Sequence, residues 1–133
     1  MMARSSMPAT WEIRDHILIV ATIGDWSSGG PATAIAEALE DSRFKQGTSL
    51  LLDVRQSSMN PAEEDVRSRT EWLSLLRAKG LSSRLAIVVG PRAYQMGVAR
   101  MAQTYLENRG IELQIFADLE AATGWLSAME AKN

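Results

Sequence analysis

Cysteine is absent from this 133-residue chain, and histidine occurs once, at His16. Without a thiol there is no disulfide framework, thiol nucleophile or thiolate zinc site, and a lone imidazole builds no multi-histidine metal centre. No metal and no cofactor is expected. Long hydrophobic runs are missing too: the longest, ILIVA at 17–21, falls far short of the about 20 apolar residues of a membrane-spanning helix. The opening MMARSSMPAT carries no apolar stretch behind its positive residue. Residues 1–9 therefore read as a flexible tail rather than a signal peptide, and a cytoplasmic location is expected. Charge of one sign is also scarce. Lys and Arg number 14 against 16 Asp and Glu, for a formal net charge of −2. No segment gathers a block of like charge, so nucleic acid is not an expected partner.

What remains has the make-up of an ordinary globular domain, 46% hydrophobic and 23% charged, in a chain long enough to bury one core without staples. Residues 10–133 read as a single domain. TWEIRD alternates apolar and polar, and HILIVATIG follows as a β-branched run, so the two predict a hairpin turning near Arg14, Asp15 and His16. His16 is expected to be exposed there. Gly29, Gly30 and Pro31 then break the strand and open a helix carrying Ile35, Ala36 and Leu39. TSLLLDV and RLAIVVG are near-continuous apolar strands, the pattern of strands covered on both faces.

Between those two strands, Asn60, Pro61 and Glu63 read as N-cap, first turn and capping partner of a second helix. Its inner stripe is Ala62, Val66, Leu73 and Leu76 beside Trp72, with Glu64, Arg67, Arg69 and Arg77 facing away, and Gly80 ends it. A third helix carries Val98, Met101, Ala102, Tyr105 and Leu106. IELQIFA is a last strand, and Asp118 caps a last helix with Leu119, Ala122, Leu126 and Met129 inside. The expected fold is α/β, in the order β-β-α-β-α-β-α-β-α, with a mostly parallel five-stranded sheet flanked by helices.

Three stretches, WEIRDHILIVATIGD, LLLDVR at 50–55 and RLAIVVGPRAYQMGVARMAQTYLENRGIELQIFADLEAATGWL at 84–126, resemble the small bacterial SpoIIAA-like proteins. These are relatives of STAS (anti-anti-sigma factor) and CRAL-TRIO lipid-binding domains. The resemblance runs through essentially the whole chain in element order and implies a STAS-like fold. In STAS anti-anti-sigma proteins a serine in an Asp-Ser-Ser-Gly motif after the middle strand is phosphorylated to switch partner binding. Here that loop reads RQSSMNP, with Ser57 and Ser58 but neither the Asp nor the Gly.

In open α/β sheets ligands bind beyond the carboxyl ends of the strands. That edge is expected to gather Asp25, Trp26, Asp53, Arg55, Arg92 and Asp118. Arg55 and Arg92 near helix N-termini suit an anionic headgroup. The plainer alternative pairs Arg55 with Asp25 or Asp53 and lays Arg92 over the sheet edge. Tyr94, Met96, Met101, Tyr105 and Trp125 are either the lining of an apolar pocket or plain core. Ser57 and Ser58 are either phosphate acceptors or turn residues. Asp53 has no partner for acid–base or nucleophilic work, so no catalytic residue is assigned. The WSSGG loop lacks the spacing and lysine of a phosphate-binding loop.

The expectation is a non-enzymatic binding or regulatory module for a small amphiphilic or lipid-like anionic ligand. Its candidate contacts are Asp25, Trp26, Arg55, Arg92, Tyr94 and Met96. The alternative is an anti-anti-sigma-like module that binds a protein partner, phospho-regulated at Ser57 or Ser58. A homodimer is expected from the unpaired hairpin edge and an apolar Trp11 at the rim.

Overall fold

The computed structural model describes residues 9–24, 30–58 and 61–131. Asp25, Trp26, the remainder of WSSGG as far as Gly29, Asn60 and residues 1–8 of the expected tail lie outside them, as does the side chain of Met129. The hairpin is built from β1 (Ala9–Arg14) and β2 (Ile17–Gly24), antiparallel from Arg14 opposite Ile17 to Ala9 opposite Thr22. Asp15 and His16 turn it with φ of 53° and 66°, the left-handed pair that matches a two-residue turn to the twist of its strands. Ala9 is buried inside β1, so the strand begins within the segment expected to be tail.

Three parallel strands follow: β3 (Thr48–Ser57), β4 (Leu81–Val88) and β5 (Glu112–Phe116). The sheet order is β1-β2-β3-β4-β5, so each crossover joins neighbours. The crossover helices are α1 (Gly30–Leu39), α2 (Glu63–Leu75) and α3 (Ala93–Glu107), and α4 (Leu119–Ala131) follows β5. None of the described helices is long and apolar enough to cross a membrane.

Strand alternation assigns the faces. Leu18 and Val20, Leu50 and Leu52, and Leu85 and Ile87 join a core with residues of α1, α2 and α3. Their neighbours Ile17, Ile19, Leu51, Ala86 and Val88 pack against Ala122 and Leu126 of α4. Both faces are buried, which is why these strands read as continuous apolar runs rather than alternating ones.

α2 starts differently from its expected form. Pro61 precedes the helix, and Ala62 occupies the N-cap with no side-chain hydrogen bond. Glu63, Glu64 and Asp65 crowd the first turn instead, where carboxylates complement the helix dipole. After a 3-10 turn at Leu76–Lys79, Gly80 adopts φ 113°, and a Cβ there would stand 3.2 Å from the Phe44 ring, so the position demands glycine. Trp11 is not an apolar rim residue. It packs beneath α1, its indole N–H donates to Glu37 at 3.0 Å, and the Arg43 guanidinium lies 5.8 Å from its ring centre.

β3 is longer than the apolar run that announced it. Between Ala21 opposite Asp53 and Ile23 opposite Gln56 the register slips, leaving β3 one residue in excess. A bulge of this kind flips the alternation, so Ser57 faces the same side as Leu52 and Val54. Ser57 is therefore a buried strand residue rather than part of a loop.

Candidate functional site

The carboxyl ends of β3 and β4 are tied together by one side chain. Gln95, in the first turn of α3 and buried, accepts the Gly90 N–H on Oε1 at 2.6 Å and donates from Nε2 to the Ser57 carbonyl at 2.9 Å. The same carbonyl receives the Tyr94 hydroxyl at 3.3 Å and Arg92 Nη1 at 3.4 Å, and Arg92 also donates to Tyr94 Oη. Arg92 and Tyr94 thus hold the end of β3. Met96 packs against the α1–α3 core.

Arg55 is on the opposite side of the sheet from α1–α3. Its Nε and Nη2 grip Asp53 at 2.9 and 2.8 Å, a bidentate pair, and Asp118 adds a second carboxylate nearby. Of the two readings, the paired one holds, with Asp53 as the partner. Asp118 caps α4 as expected, accepting the Ala121 N–H at 2.7 Å. Partial burial works to raise the Asp53 pKa, but the hydrogen bonds from the Arg55 side chain and backbone N–H outweigh it, and the net shift is downward. A carboxyl depressed in the folded state stabilises above its unfolded value of about 4, and loses that contribution as pH falls through the folded value. Asp53→Asn is expected to lower stability by about 0.5–1 kcal/mol at pH 7, a pair this close to solvent being worth little more. Urea titrations of the variant and the parent should converge in acid, once pH has fallen through the depressed folded-state value.

An apolar cavity lies elsewhere. α2 packs on α3 while α1 sits over β1 and β2, and a partly open cavity of about 140 Å³ fills the gap between them. Its floor is the sheet: Thr22, Leu52, Val54, Ser57 and Ile87. Ala32 and Ile35 of α1 form one wall, Val66, Trp72 and Leu73 of α2 another, and Val98 and Ala102 of α3 a third. Neither Arg55, Arg92, Tyr94 nor Met96 lines it, and Met101, Tyr105 and Trp125 do not either. Tyr105 instead donates its hydroxyl to Glu63, and Trp125 packs against Phe116 with ring centres 5.8 Å apart and planes tilted by 45°.

The cation at this cavity is Arg69, half-buried on α2. Its expected outward orientation does not hold. Desolvation lowers its pKa while Asp65, one turn earlier, works to raise it. Arg69 follows Val66 by three positions and precedes Leu73 by four, so helical geometry puts all three on one face. That spacing was the available signal. Thr22 was likewise missed, although it continues the Leu18, Val20 alternation. An apolar lumen with a guanidinium in its wall suits a ligand with a hydrocarbon body and an anionic head, because a planar fork of donors binds carboxylate or phosphate in two places at once. Ser57 is 3% exposed and Ser58 is exposed, its N–H donating to the Gly24 carbonyl.

No protein-family model matches the chain, and no curated protein sequence matches it. Among solved structures it is similar to an uncharacterised protein of the DUF3478 family with a SpoIIAA-like fold from Shewanella loihica. The TM-score is 0.58 at 18% identity, over 89% of this chain and 91% of that one. The fold of this chain is SpoIIAA-like, an α/β layer structure on a mixed five-stranded sheet.

Proposed function

We propose that this chain is a non-enzymatic binding module for a small amphiphilic carboxylate, whose hydrocarbon part occupies the cavity between α1, α2 and α3 and whose head pairs with Arg69. The observation that supports it is the cavity itself, lined mainly by apolar side chains of the sheet and of all three helices, with a partly desolvated guanidinium in its wall. A protein spends stability to keep apolar walls apart, since closing such a gap recovers packing energy. The lining accounts for selectivity toward hydrocarbon, and Arg69 for selectivity toward an anion.

Titration of the protein with hexanoate, followed by amide NMR shifts, tests this directly. Saturable shifts are expected at Ile35, Leu52, Val54 and Val98. Arg69→Gln should weaken binding by about 10- to 100-fold, the range of one charge-assisted hydrogen-bonded pair. Shifts confined to Arg55 and Arg92, or no saturation with either hexanoate or decanoate, would overturn the reading.

A further inference from the structure

Resting on that reading, we infer that the ligand is a ring-sized carboxylate bearing a hydroxyl at the end away from its head, and that Thr22 recognises this hydroxyl. Thr22 is 1% exposed on the cavity floor, and its Oγ1 is buried with no hydrogen-bond partner among the described residues. Buried hydroxyls are almost always paired, because an unpaired one forfeits its hydration with no return. Valine would have the same shape at this position without that penalty.

Among the described residues no neighbour bonds Thr22 Oγ1. Both polar ends of Gln95 are engaged with Gly90 and Ser57, and the Thr70 hydroxyl donates to the Arg67 carbonyl. Thr22 lines the cavity while its Oγ1 is itself covered, so in the bound state a rotamer step about χ1, exchanging the γ-methyl and the hydroxyl, brings Oγ1 to the lumen. A ligand group that both donates and accepts then satisfies it. The size of the ligand follows from the space: the cavity of about 140 Å³ is close to the roughly 150 Å³ apolar cavity that takes one benzene ring.

Calorimetric titration with 4-hydroxybenzoate and 4-methylbenzoate, which differ in one group of equal size, separates recognition from mere fit. The parent protein is expected to prefer the hydroxy compound by about 10-fold, one hydrogen bond's worth. Thr22→Val should reverse the preference, and Thr22→Ser should keep it. Without ligand, Thr22→Val should melt about 2–5 °C higher, because it removes the orphaned hydroxyl. Equal affinities in the parent, an unchanged preference in Thr22→Val, or a lowered melting midpoint in that variant would each overturn the inference. Failure of both benzoates overturns it as well, and the amphiphile reading falls with it only when hexanoate and decanoate also fail to bind.

Discussion

Ala102→Phe is expected to abolish hexanoate binding, with a loss of at least about 100-fold, while the melting midpoint stays within a few degrees of the parent. Ala102 sits on α3 with its side chain in the cavity wall, half-buried and therefore not locked in dense packing. A phenyl ring grown from that point enters a space of about 140 Å³, enough for one ring and little more. Ligand and ring compete for the same volume, and the ring is covalently present. Filling an apolar gap also recovers dispersion contacts, which offsets the helix-propensity cost of phenylalanine of about 0.5 kcal/mol. The contrast with Arg69→Gln is informative. Removing the cation leaves the apolar term in place and weakens binding in part, whereas filling the lumen removes that term altogether. Full retention of hexanoate affinity in Ala102→Phe, measured by calorimetry, would place the ligand outside the cavity.

The element order and the two buried faces of the sheet were legible because period-2 and period-3.6 patterns are local properties of the chain. Leu18, Leu50 and Leu85 declared themselves by residue type alone. The site was less legible, and the reasons are physical. The helix pattern sets Arg69 among the outward-facing residues, although its spacing from Val66 and Leu73 puts it on the inner face. Chemistry and geometry disagreed there, and geometry prevailed. Ser57 was hidden by the register slip after Ala21, which no propensity anticipates because it depends on pairing between two strands. Arg55 and Arg92, the expected anion contacts, donate instead to Asp53 and to the end of β3. A cavity arises from how helices settle against one another, and single-helix periodicity carries no record of that gap.

Gln95→Ala is the substitution expected to cost the fold most for its size, about 2–4 kcal/mol in urea unfolding. The Gln95 amide is 4% exposed and makes one bond to each of two strands. Truncation strands the Gly90 N–H, while the Ser57 carbonyl keeps Tyr94 and Arg92, so the loss is asymmetric and falls on β4. A Cβ at Gly90 would stand 3.0 Å from Gln95 Oε1, so a larger residue there presses on the same clamp. Gln95→Glu separates the two bonds. Its carboxylate still accepts from Gly90, but when ionised it has no proton for Ser57 and carries a charge into a buried site. Burial raises such a carboxyl's pKa above the unfolded value, so the stability it retains is fully present below pH 4 and is lost as pH rises through the folded value. Gln95→Glu should therefore approach the parent in acid and fall toward Gln95→Ala at neutral pH. A pH-independent penalty in Gln95→Glu would mean that the amide acts through its shape alone. The end of β3 carries Ser57 on the cavity floor, so the same two variants should weaken hexanoate binding in proportion to their instability, which makes the clamp the point where the fold and the site depend on one another.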